Sequence, residues 1–512
     1  MARHAGRSAT GGDVTAAASP DRGDRAARRL LFLLLLLTGL LLAPGYVDNV
    51  DSRLIVRTAG RLLDTGSTGL TDLSGTAAEK RPDEYGIRGP DGAWQMKFGI
   101  GNAVLAAPFV AAGRLILGVA GLPRDRAGEA GASVASALWF AVAGVLVFGI
   151  VRRFTDRRGA VAAALAYSLA TYAIVYGKSS YLETPLAAAV LLAYASALDA
   201  RDRLADPRPA ILLGLACCAA IWIKVASCVV LCGLVPVMFA AAPRRALRPA
   251  LVAAAVVLAG GAALAWTNFA RFGHPFETGY ATSLKFGNPL LQGLGALSAG
   301  RRGGVLLYSP LLVLALPGTL RLWRADRGLA AGVWVAFAAS MLLFATFFSP
   351  FGGDAWGPRY LLPNVALLAI PAGVALAGWL TADTLRRAAA GAVVAASAAV
   401  QVPPALVSFH EVYGLRTQAE PALLRDASPQ RLAARILVEK ARGSATYDLA
   451  DLGLGAGSHE PGRVEQGLNL WPVRVAQDMP RRAAFAWTAW ALLGAAAAAT
   501  AWRLARQARR RP

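Results

Sequence analysis

The chain predicts an all-α integral membrane fold, a polytopic bundle of about 12 transmembrane helices, and three features predict it. Of 512 residues, 56% are hydrophobic and only 16% are charged. The apolar residues fall in blocks of roughly 17–25, the length a helix needs to cross a bilayer, and the blocks are apolar all round. The basic residues sit in short clusters between blocks, where Lys and Arg mark the cytoplasmic side of short loops. Such a pattern leaves no room for a soluble nucleotide-binding domain. The formal net charge of +22 is accounted for by these loop clusters, which argues against nucleic-acid binding. The four cysteines, Cys217, Cys218, Cys228 and Cys232, lie in apolar stretches and show neither a disulfide framework nor metal-ligand spacing.

Taken in order, residues 1–29 are polar and aperiodic, and read as a disordered cytoplasmic tail. The apolar run that follows has no small-residue cleavage site after it, so it reads as a retained first helix. Basic clusters at Arg25/Arg28/Arg29, Arg152/Arg153/Arg157/Arg158, Arg201/Arg203/Arg208, Arg244/Arg245/Arg248, Arg321/Arg324/Arg327, Arg386/Arg387 and 503–511 then serve as a ruler. Each interval holds two spans and one outer loop, with both termini cytoplasmic. The expected spans are 30–46, 131–151, 159–177, 184–200, 209–223, 226–242, 249–268, 304–320, 328–348, 360–381, 388–402 and 484–502.

Residues 30–402 therefore form the transmembrane core, with a long outer loop over 47–130. Within that loop, the apolar piece 98–122 is interrupted by Gly99, Gly101, Pro108, Gly113 and Arg114. Counting it as a span inverts every later loop, so it is read as a surface or re-entrant helix. Residues 403–482 form a small outer soluble segment, with a helix start at Ser428-Pro429 and an end at Gly443. Residues 483–512 supply the last transmembrane helix and a basic cytoplasmic tail. This layout places Asp48, Asp51, Lys97, Lys178, Glu183, Lys224, Arg271, His274, Glu277, Arg301, Arg302, Asp354 and Arg359 on one outer face.

The stretch 45–66, GYVDNVDSRLIVRTAGRLLDTG, carries two carboxylates, Asp48 and Asp51, ahead of an amphipathic run through Arg53, Arg57 and Arg61. Further pieces are DGAWQMKFGIGNAVLAAPFVAAG at 91–113, YGKSSYLETP at 176–185, GHPFETGY at 273–280 and SPFGGDAWGPRYLLP at 349–363. In this order, over residues 30–365, they resemble the GT-C superfamily of integral-membrane glycosyltransferases, and more closely its protein-mannosyltransferase-like branch. The resemblance implies transfer of a sugar from a polyprenyl-phosphate carrier, with the acid after the first span as the catalytic residue. Many relatives have two adjacent acids there. Here Asp51 is followed by Ser52, which leaves both Asp48 and Asp51 open as the base.

Inverting transfer needs a base for the acceptor hydroxyl, and one carboxylate near the membrane surface suffices. Asp51 fills that role by its place in the motif. Its competing reading is a helix N-cap. Asp48 is either an orienting group or a solvated loop acid. A leaving phosphate needs fixed positive charge, for which Lys97, Lys178 and Arg359 are candidates. Lys178 is equally a snorkelling anchor, and Glu183 either pairs with it or receives sugar hydroxyls. Trp356 and Tyr360 beside Arg359 suit a sugar platform or an interfacial belt. His274, Glu277, Tyr280 and Asp354 complete the substrate-binding set.

No cofactor is expected. Without a pair of adjacent acids, no catalytic metal is expected either. The partners expected are a polyprenyl-phosphate-linked sugar donor, an outer-face acceptor (glycan, lipid or protein) and membrane lipid. The expected function is a plasma-membrane hexosyl- or pentosyltransferase. A transporter or lipid flippase is the alternative from another class, and a polymerase or ligase with a pyrophosphate-linked donor is a third. Against transport, no pair of broken helices recurs in two matching halves, and the charges gather at one surface.

Overall fold

A computed structural model describes residues 22–47, 49–73, 77–179, 182–240, 242–280, 286–353, 355–418, 428–443 and 467–509, with 414–418 in backbone only. The chain is an all-α multi-pass membrane protein. Among the described residues, one small hairpin is the only β-sheet. Among the described residues, seven helical stretches are long and apolar enough to cross a membrane: 100–119, 124–151, 243–272, 327–346, 359–380, 384–406 and 480–509.

The first helix, α1 (Arg22–Leu42), starts ahead of position 30, where the sequence reading placed it. Its Asp24 accepts from Arg157 Nε at 2.9 Å and pairs with Arg152 Nε at 3.0 Å. Those bonds anchor the polar start of the helix: burial pushes the Asp24 carboxyl up, but the hydrogen bonds from Arg157 and Arg152 hold it below its ordinary range.

Other expected spans are interrupted. The interval 159–177 divides into Arg157–Leu169 and Ala173–Lys178, and the interval 304–320 into Val305–Tyr308, Pro310–Leu314 and Ala315–Ala325. Pro310 forces the second break, because the residue before proline is pushed out of helical geometry, and Ser309 stands at φ −147°, ψ 71°. A single buried serine serves both breaks. Ser397 Oγ donates to the Ala170 carbonyl at 2.6 Å and accepts from Leu311 N at 2.9 Å. Backbone freed from helical pairing inside a membrane must find such partners. The interval 226–242 is likewise made of short turns, Val225–Ser227, Cys228–Leu231 and Leu234–Phe239.

Leu362–Leu380 is the central post. The stretch that contains it has 94% of its apolar window buried, against 6% for the peripheral Pro243–Phe272. Around the post lie Arg157–Leu169, Glu183–Asp202 and Ala315–Ala325. On one flank, α1 packs on Ala135–Val151 and on Ala483–Arg509.

The corner that follows α1 is built by α2 (Val50–Thr65) and α3 (Ile100–Val119), which pack together. Between them stands an antiparallel hairpin, β1 (Gly86–Arg88) with β2 (Trp94–Met96), in register Ile87 to Gln95. By length and composition α3 qualifies as a membrane span, where the sequence reading made 98–122 a surface or re-entrant helix. It packs closely on Arg124–Ser133, and a Cβ at Gly113 would lie 2.3 Å from the Ala127 carbonyl oxygen.

Within 403–482, Pro429–Ala441 begins on Ser428, whose Oγ accepts from Arg431 N, and Gly443 beyond its end stands at φ +80°. Lys440 fastens this helix by donating to the Gly467 carbonyl at 2.8 Å and pairing with Glu411 at 2.9 Å.

Candidate active site

Asp51 lies in the first turn of α2, but it is not the cap. Asn49 is the cap: its backbone is extended, and its Oδ1 accepts from Ser52 N at 2.7 Å. With the helix start satisfied by Asn49, the Asp51 carboxylate points elsewhere. Its Oδ2 accepts from Arg359 Nη2 at 3.1 Å. Arg359 is placed by the short turn Arg359–Leu361 that opens the central post.

Arg359 also stands 3.9 Å, Nε to Oε1, from Glu183, the first residue of Glu183–Asp202. Glu183 is 1% exposed, and among the described residues neither of its carboxylate oxygens has a hydrogen-bond partner. Lys224 Nζ lies 3.9 Å from the same oxygen and 3.6 Å from the centre of the Tyr360 ring. The result is a row of alternating charge: Asp51, Arg359, Glu183, Lys224. Lys224 occupies the turn between Arg208–Ile223 and Val225–Ser227. Burial pulls its ammonium down to about 8, Glu183 opposes that shift, and Arg359 adds to it.

Lys97 follows β2. Its Nζ donates to the Glu84 carbonyl and faces the rings of Tyr85, Phe98 and Tyr280 at 5.3–5.8 Å. Burial lowers its pKa, the field of Asp51 raises it and that of Arg359 lowers it. Tyr280 is pushed well up by burial, with Tyr360 and Asp51 adding to the shift. Tyr85 is raised by burial and then by Asp51. Lys97, Tyr85, Tyr280 and Tyr360 therefore border the same corner.

Four other sequence candidates sit differently. Lys178 is 1% exposed and donates to the Ala405 carbonyl at 2.9 Å. Trp356 is fully buried, edge-on to Tyr308 at 5.1 Å, with its carbonyl accepting from Tyr176 Oη at 2.9 Å. It is a packing post in this structure, not an open platform. His274 is exposed, and Glu277 Oε1 accepts from Thr278 N and Gly279 N, so both shape the turn that leads to Tyr280. Asp48 and Asp354 lie outside the described residues. Among the described residues, no three of His, Cys, Asp and Glu gather to hold a metal.

Sequence reasoning placed Lys224 on the outer face but gave it no role, and it passed over Tyr85. The signal for Lys224 is its isolation: it is the only charged residue between Arg208 and Arg244, and a lone charge among apolar helices marks a functional position. Tyr85 carries no comparable signal.

A mostly apolar pocket has lining residues next in sequence to two members of the row, Ser52 after Asp51 and Leu182 before Glu183. Ser52, Ile55 and Val56 of α2, Asn102 and Leu105 of α3, Trp139, and the residues flanking Glu183, Leu182 and Pro185, line it.

Residues 124–266 match the family described as dolichyl-phosphate-mannose-protein mannosyltransferase. Over that segment the chain is similar to these mannosyltransferases. The mannosyltransferase-like segment contains Glu183 and Lys224, and it bears out the GT-C resemblance. Among curated proteins, none matches the sequence significantly.

Of solved structures, ArnT from Cupriavidus metallidurans bound to undecaprenyl phosphate is 16% identical, over 83% of this chain and 74% of that one, with a TM-score of 0.47. Its apo state gives 15% identity, coverages of 83% and 73%, and a TM-score of 0.49. The Archaeoglobus fulgidus oligosaccharyltransferase in the apo form gives 12%, 86% and 61%, and 0.45. At these values the structural likenesses carry no part of the functional reading.

Proposed function

We propose that this protein is a membrane glycosyltransferase that moves one sugar from a polyprenyl-phosphate-linked donor to an acceptor on the extracytoplasmic face. The observation that carries the reading is the charge row Asp51–Arg359–Glu183–Lys224, with an apolar pocket lined by Ser52 and Leu182, the sequence neighbours of Asp51 and Glu183. The match of residues 124–266 to a family of lipid-linked mannosyltransferases supports it.

In this reading the pocket takes the donor's hydrocarbon chain, and the lipid phosphate meets Arg359, Lys224 and Lys97. Fixed cations in a water-poor site stabilise the charge that develops on the departing phosphate. When the phosphate engages Arg359, the guanidinium is drawn from Asp51, whose carboxylate becomes available to the acceptor hydroxyl. Asp51 takes the hydroxyl proton as the oxygen attacks the anomeric carbon, and the bond from that carbon to the phosphate oxygen breaks. Glu183 keeps Arg359 and Lys224 side by side. Tyr280 and Tyr360 offer ring faces to a sugar.

The basic clusters support a plasma-membrane setting with both termini cytoplasmic. Hexosyl or pentosyl transfer fits the site equally, and the acceptor is a glycan, lipid or protein. The test is incubation of the purified protein in lipid with a panel of radiolabelled polyprenyl-phosphate sugars. Release of free polyprenyl phosphate together with a labelled product is the expected result. Release into the opposite compartment of intact donor, with no bond broken, would favour a flippase instead.

A further inference from the structure

Asn102 is a buried polar side chain that the chemistry above leaves without a role. It is 5% exposed, stands in the first turn of α3 and lines the pocket. Its Nδ2 donates to the Ile223 carbonyl at 2.8 Å and to the Gly99 carbonyl at 3.2 Å. Ile223 is the last residue of Arg208–Ile223, and its carbonyl is one of those that a helix end leaves without an intrahelical donor. At the next residue the chain leaves the helix: Lys224 is extended, at φ −156°, ψ 113°.

The approach that makes this bond depends on glycine. A Cβ at Gly99 would lie 2.2 Å from the Trp222 carbonyl oxygen and 2.5 Å from that of Ile223. The start of α3 therefore rests directly on the backbone that precedes Lys224.

We infer that Asn102 is a positioning residue for Lys224, capping the Ile223 carbonyl from a neighbouring helix and so fixing where the lysine leaves its own. The groups that then face Lys224 are the Glu183 carboxylate at 3.9 Å, the Tyr360 ring at 3.6 Å and the Phe344 ring at 5.8 Å, with Arg359 and Asp51 acting through their fields. Without the cap, the helix end frays or runs on, and the ammonium leaves its place between Glu183 and Tyr360. The consequence for transfer rests on the function proposed above; the placement of Lys224 does not.

The test is amine acylation of the full-length protein in lipid nanodiscs, followed across pH by mass spectrometry at Lys224 and, as an internal control, at Lys97. In the wild type the Lys224 midpoint is expected near 8. Asn102→Leu, close in size but with no donor, is expected to raise it by about one unit or more toward the ordinary lysine range and to leave Lys97 unchanged. Asn102→Ser, which keeps a donor, is expected to restore the wild-type midpoint. In transfer assays Asn102→Leu lowers kcat about tenfold with little change in donor KM.

An unchanged Lys224 midpoint in Asn102→Leu, or a loss confined to donor KM, overturns the inference. Should Asn102→Leu not fold, Asn102→Ala against Asn102→Ser decides the same point, with equal midpoints overturning it. The labelling needs no donor, so failure of every donor removes the glycosyltransferase reading and leaves this inference to be decided by the lysine alone.

Discussion

Asp51 and Arg359, 308 positions apart in sequence, meet at 3.1 Å where the start of α2 faces the start of the central post. Their side chains are only 18% and 13% exposed, so neither charge is free to relax into water. Arg359→Ala is expected to destabilise the fold by about 3 kcal/mol, the low end of what breaking a buried pair costs. Arg359→Lys should recover part of that loss but not transfer, since a point charge cannot face Asp51 and Glu183 as a guanidinium does. Unfolding in detergent measures the first quantity and initial rates the second.

Lys224 is expected to set the alkaline limit of activity. Its charge is present below about 8 and lost above it, so transfer should fall as pH rises through about 8. Lys224→Arg should carry the plateau to higher pH, because arginine stays charged. Stability runs the other way. An unfolded lysine keeps its proton up to 10.5, so between about 8 and 10.5 the folded state binds fewer protons and its stability rises with pH. Rate and denaturation profiles over the same pH range check both signs.

Asn49 should show the cost of the cap. Asn49→Ala is expected to lose about 1 kcal/mol of stability, while Asn49→Ser loses only a few tenths, since serine accepts from the same amide. Denaturant titration of the two variants measures the difference.

Close packing of α3 on the next helix makes a paired prediction. Gly113→Ala puts a methyl 2.3 Å from a carbonyl oxygen, whereas a Cβ at Gly118 meets nothing within 4 Å. The first substitution should cost about 1–3 kcal/mol. The second should be neutral or gain up to about 1 kcal/mol from helix propensity. Melting temperatures of the two variants separate these outcomes.

How far the sequence carried can be read from particular residues. Apolar block lengths and loop charge were enough for a helical membrane bundle, because both are local properties. The Ser428 cap and the Gly443 end were legible for the same reason. The breaks at 170–172 and at Ser309 were not, since their polar groups find partners far along the chain: Ser397 serves both, and Ser309 Oγ also accepts from Tyr172 N. In the site, the order of motifs put Asp51, Glu183 and Arg359 on one face. Which of them touch is a tertiary fact: a one-dimensional reading ranked Lys178 above Lys224, and offered Asp51 as a cap when Asn49 does the capping.

The measurement closest to the central claim compares wild type and Asp51→Asn, reconstituted in lipid, for sugar transfer and for donor binding. Donor binding should be retained while transfer falls by about 10²-fold or more. Transfer at the wild-type rate by Asp51→Asn would contradict the account.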